Sequence, residues 1–287
     1  MPLPLAAQVG PWEAREVDPL ERPIVFGHLT DVHVVGDGTD DALHVDNNAR
    51  MAAAVDSLDA EVPPVAAVLA TGDLTAWGRP EDYAKLADLV AACRMPVLAI
   101  PGNHDDRDGV RATFPDLPWA DAEHASWVTE VAGVRVIGLD STIPGSAGAA
   151  FDAPRESWLT DVLATRHPGV TFLTVHHPPF RTGIGWMDRS GFVGVERLAS
   201  VLRDADVDRV FCGHLHRPVV AEVGGVPVQV GLPTIETVAL DLESGARPRL
   251  VLDPVGYNLV VVGDDGIVTH TRFIETGHRP FTPEWAA

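Results

Sequence analysis

Along this chain, short apolar runs of about six residues alternate with longer stretches whose apolar positions recur three and four apart. The short runs read as buried strands and the longer stretches as amphipathic helices. PIVFGHLTD predicts a strand ending at Thr30 and Asp31, and NNARMAAAVDSLDA a helix with Asp46 as its N-cap. VAAVLATGD is a second strand, ending at Asp73. RPEDYAKLADLVAAC is a second helix, with Pro80 in its first turn and acids just inside. MPVLAIPGNHD is a third strand.

The rhythm repeats in the second half. VRVIGLD predicts a strand ending at Asp140, and APRESWLTDVLATR a helix led by Pro154. GVTFLTVHH is a strand ending at His176 and His177. VGVERLASVLRDA is a helix, and DRVFCGHLH a strand ending at His214 and His216. From Val219 the pattern becomes strand, turn, strand: VVAEVGGVPVQVG and NLVVVGDDGIVTHTRF are hairpins turning at Gly-Gly and Asp-Asp-Gly. Strands alternating with helices imply α/β layers with parallel pairing. No internal repeat or interdomain linker interrupts the pattern. The expected organisation is a proline- and charge-rich arm over 1–22, one domain over 23–275 and a tail over 276–287.

Composition narrows what such a domain acts on. The chain has 287 residues, 46% of them hydrophobic, enough for a sizeable core. Its formal net charge is −20, with Lys85 as its single lysine. That charge repels nucleic-acid polymers and anionic lipid surfaces and favours a small-molecule substrate. Two cysteines, Cys93 and Cys212, are too few for a disulfide framework, and the start lacks a basic segment followed by an apolar one. No apolar run is long enough to span a bilayer. A cytoplasmic protein with no membrane partner is expected, and homo-oligomerisation is left open.

The candidate chemistry lies where the strands stop. Five of them end in groups able to ligate a metal: Asp31 with His33, Asp73, Asn103 with His104, His176, and His214 with His216. Taken singly, each has an ordinary reading as a turn cap or surface histidine. Together they are harder to dismiss. Ligands bind at the carboxyl ends of strands in open α/β sheets, so groups far apart in sequence would converge on one edge.

The series DVH, GDLT, GNHD, HHPP and GHLH resembles the calcineurin-like metallophosphoesterase superfamily, over roughly residues 24–218. GRPEDY after GDLTAW, and MD after HHPPFRTGIG, are similar to the bacterial class III cyclic-nucleotide and glycerophosphodiester phosphodiesterases. The resemblance implies a four-layer sandwich of two mixed β-sheets flanked by helices. It also implies two divalent transition-metal ions (Mn, Fe, Co or Zn), with a metal-bridging hydroxide attacking a small phosphodiester. By similarity Asp73 bridges the ions, Asp31, His33 and His216 complete the first, and Asn103, His176 and His214 the second.

On that reading His104, next to a ligand, lies over the site as general acid or phosphate grip, and Asp105 is expected to orient its imidazole. His177, adjacent to the ligand on a strand, is expected to face away and act from behind the ligands. A segment over about 179–192 would roof the site, and its Arg181 is a candidate substrate contact or an ordinary surface arginine. The remaining histidines, including His28 and His44, carry no motif. The seven tryptophans are scattered and read as core or rim. A phosphomonoesterase and a non-catalytic metal-binding scaffold are the alternative functions on the same core.

Overall fold

The structure, a computed structural model, describes residues 23–38, 44–121, 123–243 and 245–274. The expected arm over 1–22 and tail over 276–287 lie outside the described residues. The first half contributes β1 (Ile24–Leu29), α1 (Asn47–Asp59), β2 (Val65–Ala70), α2 (Pro80–Ala91), β3 (Val97–Ala99) and α3 (Arg107–Thr113). Next come β4 (Trp127–Val131), β5 (Val134–Leu139), β6 (Thr142–Ile143), β7 (Ser146–Ala150), α4 (Ala153–Ala164) and β8 (Thr171–Val175). They are followed by β9 (Phe192–Val193), α5 (Val195–Arg203) and β10 (Arg209–Cys212). The last part is strand-rich: β11 (Val219–Val223), β12 (Val226–Val230), β13 (Thr237–Val238), β14 (Leu250–Val251), β15 (Gly256–Gly263) and β16 (Gly266–Phe273).

Among the described residues two large mixed sheets form, beside the small β6-β7-β9 and β13-β14 sheets. One runs β16-β15-β1-β2-β3, with β1, β2 and β3 parallel and the β15–β16 hairpin antiparallel at its edge. The other runs β11-β12-β10-β8-β5-β4, parallel in its centre with an antiparallel strand at each edge. The sheets face each other through Phe26 of the first and Phe172 of the second, edge to face at 5.5 Å, and Phe211 packs beside Phe172 within the second sheet at 5.1 Å. Trp127 on β4 donates its indole N–H across the gap to the Ala99 carbonyl at the end of β3, at 2.7 Å.

Helices cover the outer faces. Met51, Ala54, Val55 and Leu58 form the buried stripe of α1, three and four apart, and pack on the first sheet. Burying a leucine or methionine there contributes about 1.5–3 kcal/mol. Leu159 of α4 and Leu198 and Leu202 of α5 join the core outside the second sheet. The expected cap forms, Asp46 accepting from the Ala49 N–H, and Asp152 caps α4 by accepting from the Arg155 N–H. No helix among the described residues is long and apolar enough to cross a membrane.

Besides the short strands β6, β7, β9, β13 and β14, helix α3 and strand β4 were not legible in the pattern. Helix α3 has seven residues, contains Gly109 and buries only Val110, so no apolar stripe marks it. Strand β4 buries Trp127 but exposes Val128, and its hairpin with β5 turns at Ala132 and Gly133 rather than at an Asn-Gly or Asp-Gly pair.

The three-phenylalanine contact sets the first expectation. Phe172→Ala should destabilise the protein by about 3–5 kcal/mol, read as a lower urea midpoint at constant slope.

Candidate metal centre

The parallel strands of both sheets run out at one place, and the chain there is bent to bring their polar ends together. Beyond β1 and β2 the two loops keep pairing: the Asp31 N–H donates to the Gly72 carbonyl at 3.1 Å, and the His33 N–H to the Asp73 carbonyl at 3.0 Å. Asp31, His33, Asp73, His214 and His216 all have left-handed backbone, with φ between 43° and 71°. Among described non-glycine residues the other such position is Ala132, in the β4–β5 turn. Each such residue costs on the order of 1–3 kcal/mol, and conformations of this kind cluster at functional sites.

The side chains converge on Asp73. Its Oδ1 lies 3.4 Å from His176 Nε2, and its Oδ2 lies 3.5 Å from His33 Nε2. Around Oδ2, His33 Nε2 and His216 Nε2 stand 3.1 Å apart, and His216 Nε2 is 3.5 Å from Asp31 Oδ1. Around Oδ1, the Asn103 amide oxygen is 3.2 Å from His176 Nε2 and 2.8 Å from His214 Nδ1. Asp31, His33, Asp73 and His216 have ligand atoms within 4.8 Å of one another, as do His176, His177 and His214. All seven residues expected as ligands are therefore brought together, on the two sides of one carboxylate.

Main-chain carbonyls fix how these rings present their nitrogens. His176 Nδ1 donates to the Thr71 carbonyl at 2.8 Å and His216 Nδ1 to that of Glu236 at 3.1 Å, which turns both Nε2 atoms inward. The Asn47 side chain donates to the His33 carbonyl. Thr71 and Glu236 were not foreseen, because a carbonyl that orients an imidazole leaves no trace in residue type, and neither was Asn47, whose amide reaches a carbonyl 14 residues away.

Burial takes the His214 imidazole down to about 3 and His33 well below its usual range, so both keep a lone pair for a cation. Burial pulls His176 down as well, but the Asp73 carboxylate more than offsets this and raises it to about 9. Asp73 would be raised by burial, yet the His176 and His33 rings beside it hold it well below the carboxylate range. Imidazole nitrogens set among buried carboxylate and amide oxygens are a donor set for divalent transition ions. Two Nε2 atoms at 3.1 Å share one proton at most, and a cation between them satisfies both.

Three expectations need correction or refinement. Asp105 does not touch the His104 ring. Its carboxylate accepts from the Leu74, Thr75 and Gly102 N–H groups and the Thr75 hydroxyl, clamping the loops after β2 and β3. His104 Nδ1 instead donates to the Ala76 carbonyl at 2.8 Å. His177 does not face away. The pair lies past the last residue of β8, where strand alternation no longer holds, and its ring sits 4.8 Å from that of His176 and 4.6 Å from that of His214. Its Nδ1 bonds the Ser141 hydroxyl at 2.8 Å. His28, expected to be ordinary, is a buried ring between the sheets, bonded through Nε2 to the Thr71 hydroxyl.

Two cavities adjoin the cluster. One, of about 800 Å³, is lined by His177, His214 and the segment from Pro179 to Phe192, including the exposed Arg181. The other, of about 400 Å³, is bounded by Asn103, His104 and Trp77.

A family model described as calcineurin-like phosphoesterase matches residues 24–218. A probable cyclic nucleotide phosphodiesterase of Rhodococcus erythropolis is 35% identical over 252 residues, covering 84% of this chain and 80% of that one. A probable glycerophosphodiester phosphodiesterase of Arcobacter nitrofigilis is 33% identical over 218 residues, covering 75% of this chain and 80% of the relative. A cAMP/cGMP dual specificity phosphodiesterase of Mycobacterium tuberculosis is 32% identical over 248 residues, with 85% and 77% covered. In fold, the chain is similar to a purple acid phosphatase from yellow lupin at a TM-score of 0.62 and 15% identity. That likeness covers 90% of this chain and 52% of the phosphatase.

The close approach of the β2 and β3 loops generates a test. A Cβ on Gly102 would overlap the Asp73 backbone nitrogen and Oδ1. Gly102→Ala should weaken Mn²⁺ binding in equilibrium dialysis by about 10- to 100-fold, as expected when a ligand is mis-set. The far-UV circular dichroism should stay unchanged.

Proposed function

The chain belongs to the calcineurin-like phosphoesterase family, and on that premise we propose that it hydrolyses small phosphodiesters, cyclic nucleotides or glycerophosphodiesters, at a two-metal centre. The observation that carries this reading is the division of Asp73, whose two oxygens face two separate sets of donors. Asp31, His33 and His216 would hold one ion with Asp73 Oδ2. Asn103, His176 and His214 would hold the other with Oδ1. Two divalent ions bound side by side supply the charge that steadies the attacking and leaving oxygens of an in-line displacement at phosphorus.

The chain's own residues do the rest. The buried carboxylates would offset cation charge, and the Thr71 and Glu236 carbonyls aim the Nε2 atoms of His176 and His216 at the cluster. His104 lies beside the cluster, its ring 4.7 Å from that of His33. With Nδ1–H held by Ala76, the proton it can give is the one on Nε2, and we assign that proton to the leaving alkoxide. Asp105 supports the reaction by holding the loops of Asp73 and Asn103 in register. His177 backs His176 and His214 with its ring. Relatives named for cyclic nucleotides and for glycerophosphodiesters support a diester substrate.

Chelation followed by Mn²⁺ reconstitution, assayed on a panel of cyclic nucleotides, glycerophosphodiesters and nitrophenyl phosphate, tests the reading. Diester hydrolysis should vanish with chelation and return with metal. Turnover of the monoester alone would sink it. Asp73→Asn should lose at least one ion by elemental analysis and nearly all activity. Two retained ions with normal turnover would remove Asp73 from the bridge.

His104→Ala should slow a natural diester by about 10²–10⁴-fold, the usual worth of general-acid help, with both ions kept. A bis(nitrophenyl) diester, whose leaving group departs without a proton, should be far less affected. Equal losses on both would rule out the acid role.

A further inference from the structure

The cavity of about 400 Å³ beside His104 has a rim that the hydrolytic chemistry does not require. Trp77 stands there half exposed, an unusual place for the largest apolar side chain. Its position is set by the same segment that orients His104. Ala76, the preceding residue, accepts from His104 Nδ1, and the Ala76 N–H donates to the Val34 carbonyl. Two residues before the indole, the Thr75 hydroxyl donates to Asp105 and accepts from the Gly78 N–H. The indole is thus indexed to the imidazole through a short, pinned loop. The Arg79 guanidinium lies over the ring, 5.5 Å from its centroid.

The charges around this cavity are equally informative. Its two arginines are already engaged. Arg107 pairs with Asp140 at 2.6 Å and donates to the Glu123 and Thr142 carbonyls. Arg111 pairs with Asp108 and donates to the Asp121 carbonyl. Asp106 and Glu123 add negative charge, in a chain of net charge −20. A second phosphate would be repelled here. A neutral group with a flat face would find a stacking surface and a volume that suits a small ligand.

Resting on the phosphodiesterase reading, we infer that Trp77 is a stacking platform for the base of a nucleoside phosphodiester, making it a specificity-determining residue that favours nucleotides over glycerophosphodiesters.

Mn²⁺-reconstituted wild type, Trp77→Ala and Trp77→Phe are compared on adenosine 3′,5′-cyclic phosphate and on glycerophosphoethanolamine. In Trp77→Ala the ratio of kcat/KM for the nucleotide to that for the glycerol diester should fall about tenfold or more, through KM. Trp77→Phe should keep most of the ratio. An unchanged ratio in Trp77→Ala overturns the inference. The same three proteins are titrated calorimetrically with adenosine 5′-monophosphate and with ribose 5-phosphate. Loss of affinity confined to the adenosine ligand supports the platform, and equal affinities in wild type and Trp77→Ala overturn it. Should wild type hydrolyse neither diester, the phosphodiesterase reading fails by itself, and the titration still decides the role of Trp77.

Discussion

The arrangement hangs on one buried carboxylate. Asp73 is 2% exposed and sits where the carboxyl ends of two sheets meet. A lone carboxylate there would cost several kcal/mol in lost hydration. It is tolerated because it is surrounded: the His104 N–H donates to Oδ1 at 2.9 Å, and His176 and His33 stand at its two oxygens. Asp31 is embedded likewise, accepting from the Thr30 hydroxyl and the His214 N–H. Each acid is tied by a main-chain N–H to a loop other than its own. The carboxylates therefore register the loops of β1, β2, β3 and β10 against one another.

That registration explains the left-handed residues. Asp31 with His33, and His214 with His216, are pairs two apart in which both members have positive φ. Bending the chain twice within three residues turns both side chains toward the same centre. Without neighbours to enforce it, such a loop would relax toward the ordinary extended or helical regions. Strain held by the sheets and by the hydrogen bonds between their loops is a form of preorganisation, because the donors are set without a cation.

Much of this was legible in the sequence because it is local. Asp31, Asp73, Asn103, His176 and His214 each follow an apolar strand by one to four residues, and strands of known direction carry their ends to a common edge. What failed to show were relations between loops. Asp105 adjoins His104 in sequence, which suggested a partnership, but its carboxylate serves N–H groups 30 and 31 residues away. His177 obeyed no alternation because β8 had already ended. Trp77 looked like one of seven scattered tryptophans until the fold set it on the rim beside His104. Buried His28 shares Thr71 with the site, contributing to its hydroxyl while His176 uses the carbonyl, a link across the sheets that no spacing encodes.

The imidazoles of His104, His176 and His216 take their direction from the carbonyls of Ala76, Thr71 and Glu236. A main-chain oxygen survives nearly every codon change, so orientation here is heritable without being written in any particular letter. A side-chain change at Glu236 would leave the carbonyl and the ring it aims in place, and Thr71→Ala would cost His28 its hydroxyl partner while the carbonyl still held His176. Only a change in the path of the backbone itself, such as proline or an inserted residue, could unseat them. The aim of these three rings is thus insulated from most side-chain changes and exposed to proline, insertion and deletion.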